Sequence, residues 1–136
     1  MFPQKNNRKT PEHIIQYAKF QIHEIYHSVS GIQFMMVCTT DGFELATLYK
    51  KDYYNRTKLA AVSSSLHAMV TALMTELKLE GCQSIALDAL NGKAILTSVL
   101  SKEHPMIIVT LADKDILLGQ LLYMLRNTSN LIENVA

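Results

Sequence analysis

The sequence predicts an α/β fold of the α+β kind: one five-stranded antiparallel sheet with helices on both faces, in the order α-β-β-α-β-β-β-α. Three observations predict it. Phe34-Met35-Met36-Val37-Cys38 and the run 106–112 are apolar at odd and even positions alike, so both must be central strands covered on two sides. Asp41-Gly42 and Asn91-Gly92 each stand between strand-like runs and signal tight hairpins, hence antiparallel neighbours. Three further segments repeat apolar residues every three or four positions, the period of a helix lying on a core.

In chain order, residues 1–9 are polar and basic and read as a flexible tail, and residues 10–136 read as a single domain. Thr10-Pro11-Glu12 has the chemistry of a helix start: a hydroxyl cap, a proline where no amide donor is needed, then an acid at the positive end. The first helix is expected to reach residue 29, burying Ile15, Ala18, Ile22, Ile25 and Val29, with Gly31 closing it. The first strand follows over 32–40. It turns at Asp41-Gly42, where both central positions of the favoured turn take positive φ, and returns over 43–48. Glu44 and Thr47 give that second strand the mixed character of a sheet edge. A polar, tyrosine-bearing stretch leads into the second helix, 59–77, which Gly81 should stop.

The third strand, 83–89, puts Ile85, Leu87 and Ala89 on one face and Ser84, Ala86 and Asp88 on the other. Asn91-Gly92 turns into the fourth strand at 93–99. The fifth strand precedes Asp113, which can cap a third helix with a core face of Leu117, Leu118, Leu121, Leu122, Leu125 and Ile132.

Bulk properties exclude several function classes. The 136 residues are 49% hydrophobic and 18% charged, enough for one sizeable core. A net charge of +1 supplies no strong field for nucleic acid or an anionic membrane. No apolar run approaches the roughly 18 to 20 residues that span a bilayer. The polar start has no hydrophobic segment behind it, unlike a secretory signal. Cys38 and Cys82 sit in apolar surroundings without metal-type spacing, and read as reduced thiols of a cytoplasmic protein.

The second helix is the most informative element. From Leu59 it carries no Asp, Glu, Lys or Arg until Glu76. Its strong stripe is Leu59, Val62, Leu66, Met69, Val70, Leu73 and Leu77, the expected core face. The other side reads Ala61, Ser64, Ser65, Ala68, Thr71, Ala72 and Thr75, small and uncharged where a surface helix should carry charge. Such a helix is expected to be covered on both sides, and in a chain of this size the natural second cover is another copy.

Val37-Cys38-Thr39-Thr40-Asp41-Gly42-Phe43-Glu44-Leu45-Ala46, Leu59-Ala60-Ala61-Val62-Ser63-Ser64-Ser65-Leu66, Asn91-Gly92-Lys93-Ala94-Ile95-Leu96 and the run from Leu111 to Gly119 follow one another in an order and spacing that resembles the roadblock (dynein light-chain) family, in particular its bacterial MglB-like members. The resemblance covers roughly residues 14–126. It implies a sheet order of two-one-five-four-three and a homodimer whose third strands pair edge to edge while the second helices pack together. It further implies binding of a small Ras-like GTPase, as an activator or modulator of its cycle. The alternative within the same resemblance is a non-catalytic scaffold that tethers a motor, motility or signalling complex.

Motifs for chemistry within this chain are weak. His23-Glu24-Ile25-Tyr26-His27 is a literal H-E-x-x-H on a predicted helix, the zinc-peptidase pattern. At about 100° per residue, however, its histidines and glutamate lie off the core stripe and face outward, with no third ligand evident. The five glycines form neither phosphate-cradling pattern, so the chain is not itself a GTPase. Ser63-Ser64-Ser65 lies within a helix and lacks the nucleophile elbow. Arg56, one of three arginines, stands where an arginine finger could reach a partner's phosphates, although by resemblance MglB-like activators reorganise the GTPase's own groups. No catalytic residue, cofactor or metal is expected. The expected contacts for the twin or the partner are Lys58, Ala61, Ser64, Ser65, His67, Ala68, Thr71 and Thr75 on the second helix, with Ser84, Ala86 and Asp88 on the third strand.

Overall fold

The computed structural model describes residues 9–136, so the tail expected over 1–9 lies, apart from Lys9, outside the described residues. The elements are α1 (Glu12–Ser28), β1 (Ile32–Thr39), β2 (Glu44–Tyr49), α2 (Arg56–Glu76), β3 (Ser84–Ala89), β4 (Gly92–Val99), β5 (Met106–Ala112) and α3 (Leu118–Val135). The strands form one antiparallel sheet in the order β2-β1-β5-β4-β3. β1 and β5 are central, as their two-sided apolarity requires, and β2 and β3 are the edges.

Each sheet face carries its own core. On one side α1 and α3 bury Ala18, Ile22, Ile25, Leu121, Leu125 and Ile132 against Met35, Val37, Ile95, Val99 and Ile108. On the other, Phe34, Met36, Cys38, Leu96, Ile107 and Val109 meet α2, chiefly at Ala60, with Leu59, Leu66, Tyr54 and Ile85 at the margin. The first core holds the larger number of fully buried side chains and is the main source of hydrophobic stabilisation.

Several local expectations need correction. Pro11, in extended geometry, is the cap of α1 and no side chain caps it, so Thr10 is buried without that role. Ile14 rather than Ile15 joins the core, because the arc centred on Ala18 and Ile22 is completed by a step of four from Ala18. At the first hairpin only Gly42 has positive φ, +98°, not both central residues. The Gly42 amide donates to the Thr39 carbonyl at 3.0 Å, and the ladder shifts register beside Cys38, so a bulged turn replaces the two-residue one. The second hairpin turns at Leu90 and Asn91 instead of Asn91-Gly92, since pairing continues to Ala89 opposite Gly92.

Helix ends differ too. α2 stops at Lys78, not Gly81: Lys78 takes φ of 60°, its amide donates to the Thr75 carbonyl, and the Leu79 amide reaches back to Met74 at 2.8 Å. This double bond pattern closes the last turn with a residue that bears the left-handed penalty usually avoided by glycine. Asp113 does not cap α3. Its carboxylate accepts from Gln33 Nε2 at 2.7 Å, its carbonyl closes a turn with Ile116, and the helix begins after Leu117. Leu117, assigned to the core, is therefore exposed.

Candidate functional site

α2 begins on Asn55, whose side chain accepts from the Lys58 amide at 3.0 Å. Its seat on the sheet is built from small residues. Ala60 and Ser63 are buried, with His67, Val70 and Met74 half-buried below them along the same helical arc. The β1–β2 turn presses on this arc. A Cβ at Gly42 would stand 3.5 Å from both Ala61 Cα and Ser64 Cβ, and Ser64 Oγ donates to the Thr40 carbonyl at 2.5 Å. Bulky Phe34, Leu96 and Ile107 already fill the sheet surface, so the helix comes close only through its small side.

That seat rotates the helix away from the expected orientation. Val62, Met69, Leu73 and Leu77, assigned to the core, are exposed, Met69 to 68%. Leu59, Leu66 and Val70 are only half-buried. The outward hydroxyls are satisfied within the helix: Ser65 donates to the Ala61 carbonyl, Thr71 to His67 and Thr75 to Thr71. What α2 shows to solvent is thus an apolar stripe whose hydroxyls already have partners. Exposed contiguous apolar surface of this kind marks an interaction site.

The sheet that α2 covers also has an open edge at β3. β3 pairs only with β4 among the described residues, which leaves its outer backbone groups without strand partners. Leu87, on the α2 side of the strand, and Leu79, past the helix end, are exposed and extend the apolar surface. Of the expected contacts, Lys58, Ala61, Ser65, Ala68, Thr71, Thr75, Ala86 and Asp88 are exposed. Ser64 and His67 face inward, and Ser84 is half-buried with a hydroxyl that has no protein partner, like those of Thr97 and Thr110. Asp88 forms a cross-strand pair with Lys93 at 3.5 Å. The large exposed residues of the stripe were not among the expected contacts. The signal was present in the sequence, since both faces of the helix are apolar and only one can meet the sheet.

The same architecture occurs in solved structures. The gliding protein mglB of Thermus thermophilus superposes with a TM-score of 0.79 at 16% identity, over 93% of each chain. MglB of Myxococcus xanthus gives 0.81 at 10% identity, over 93% of this chain and 92% of that one. The Roadblock/LC7 domain of Streptomyces avermitilis gives 0.74 at 10%, over 86% and 95%. This is the roadblock fold, in its MglB-like form. No family model and no curated protein matches the sequence.

Within this roadblock fold, Arg56 is the first residue of α2 and is held on three sides. Its Nε lies 3.3 Å from Glu44 Oε2, its Nη1 3.2 Å from Asp52 Oδ1, and its guanidinium 5.3 Å from the Tyr49 ring. It braces β2 to the helix start. His23, Glu24 and His27 face outward as expected, with the two imidazole centroids 4.2 Å apart. No cluster of three or more metal-ligating side chains occurs among the described residues. Both cysteines are free, and burial pushes the Cys38 thiol up to about 12, which keeps it protonated and unreactive.

His67 links the site to pH. Partial burial under α2 disfavours its charged form and lowers its pKa. Between the folded value and the ordinary one near 6.5 the unfolded chain binds more protons, so stability rises with pH there. His67 therefore contributes fully above that ordinary value and less as pH falls through the folded value. Urea melts at about pH 5 and about pH 7.5 should differ more for the natural chain than for His67→Gln.

Proposed function

We propose that this chain is a cytoplasmic two-fold homodimer that binds a small Ras-like GTPase and changes that partner's nucleotide cycle. The observation that carries the reading is the exposed stripe of Val62, Met69, Leu73 and Leu77 together with the open edge of β3. A second copy laid antiparallel along β3 supplies the missing strand and brings a second α2 over the stripe of the first. One of the similar solved structures is described as MglB with a tetrameric arrangement, which supports self-association of this architecture. The sequence resemblance to MglB-like proteins supports the GTPase as partner. The two free thiols fit a reducing compartment, and no helix among the described residues is long and apolar enough to cross a membrane.

In this reading the dimer acts by docking, and the chemistry takes place in the partner's pocket. The bracing of Arg56 by Glu44 and Asp52 supports that division, since an arginine donated to a phosphate would have to leave both carboxylates. The same bracing favours, as a second reading, a scaffold that tethers a complex without altering turnover.

Single-turnover GTP hydrolysis and nucleotide exchange by a Ras-like GTPase of the same organism, with and without this protein, separate the two. A changed rate supports the regulator. Binding that ignores nucleotide state and leaves both rates alone supports the scaffold. No binding and no rate change removes the regulator.

A further inference from the structure

Leu90 stands at the tip of the β3–β4 hairpin and is 99% exposed. Two-residue turns favour Asn, Asp and Gly, because conformation decides there and side-chain packing contributes nothing in water. A leucine at such a tip contradicts its local surroundings unless something covers it. At the other end of the same strand lies a second unexplained apolar feature. Leu77 and Leu79 are exposed past the end of α2, and so is Leu100 past the end of β4. Gly81 follows Leu79 by two residues, and a Cβ added there would meet only Leu100 Cδ1, at 3.9 Å. Within one chain the tip and these leucines lie a full strand apart, roughly 20 Å, and cannot meet.

We infer that Leu90 of each protomer seats in the notch formed by the partner's Leu77, Leu79 and Leu100, an inference that rests on the two-fold dimer proposed above. Antiparallel pairing of β3 with its own copy keeps the sum of paired residue numbers constant. With the two-fold axis anywhere between Ile85 and Leu87, that sum runs from about 170 to 174, which sets residue 90 opposite residues 80 to 84 of the other chain. That stretch follows Leu79 and contains Gly81, beside which Leu100 lies. The two seats would lock the ends of the strand seam, where backbone pairing alone frays.

Leu90→Asn tests this, because it installs the residue the turn favours at a position exposed in the single chain. Sedimentation equilibrium should show the dimer dissociation constant raised at least about tenfold, the loss of two buried leucine side chains. A constant within about twofold of the natural one, from a natural chain that does dimerise, overturns the seating and leaves the dimer standing. A natural chain that stays monomeric removes the dimer and the seating together. A second arm uses Leu90→Cys with native Cys82 and a short bis-maleimide. Covalent dimers that vanish when Cys82→Ser is added support the juxtaposition, whereas a non-covalent dimer that never cross-links overturns it.

Discussion

Met69→Glu should split the proposed dimer into folded single chains. Met69 lies in the middle of the α2 stripe, 68% exposed, between Val62 and Leu73. In one protomer the new carboxylate stays in water, and glutamate is a good helix former, so circular dichroism and the thermal melt of the isolated chain should keep their folded signatures. In the dimer the same carboxylate would be driven against the twin helix without a cation, because α2 carries no Lys or Arg between Leu59 and Glu76. Burying an uncompensated charge costs several kcal/mol, and two-fold symmetry imposes it twice. The dissociation constant should rise at least about a thousandfold. A variant that stays dimeric with native affinity would show that the stripe is not the contact.

The largest effect on folding should come from the opposite face of the sheet. Leu125 is fully buried in the core that α3 and α1 share with the central strands. Leu125→Ala removes three carbons from a site walled by helix and sheet, where collapse is restricted, and should cost about 2–5 kcal/mol. Against a typical total of about 5–15 kcal/mol this is a large fraction. The urea midpoint should fall while the slope stays the same, which separates a loss of stability from a change in the unfolded chain. A shift of less than about 1 kcal/mol would mean that the α1–α3 layer packs less tightly around Leu125 than its complete burial implies.

The two predictions mark where the sequence was legible. The central places of β1 and β5 were readable because both are apolar on both faces, a pattern only a central strand satisfies, whereas the full strand order followed from the family resemblance. The α1 and α3 faces were readable to within a residue or two, since each helix has one apolar side. α2 was not, for a physical reason. Its two sides are both uncharged, so periodicity identifies a helix but not which side meets the sheet. The sheet decides that: Phe34, Leu96 and Ile107 fill the space, and the Gly42 turn lies close against Ala60, Ala61 and Ser64. The bulky stripe is turned outward as a result. Composition identified the uncharged helix, and sterics chose which of its sides turns outward.

Turn positions show the same limit at smaller scale. Asn91-Gly92 has the chemistry of a hairpin centre, yet the ladder runs on to Ala89 opposite Gly92 and moves the turn to Leu90. Gly81 has the chemistry of a helix stop, but hydrogen bonds from Lys78 and Leu79 close α2 three residues sooner. Local preference proposes a position, and pairing over the whole element moves it by a residue or more.

Light scattering on the purified natural chain, followed from nanomolar to high micromolar concentration, tests the covered stripe most directly. The expected result is twice the mass of a single chain at micromolar concentration and above, with Met69→Glu remaining at half that value. A natural chain that stays folded at single-chain mass up to the highest concentration would contradict it, because the α2 stripe and the β3 edge would then face water with nothing to cover them.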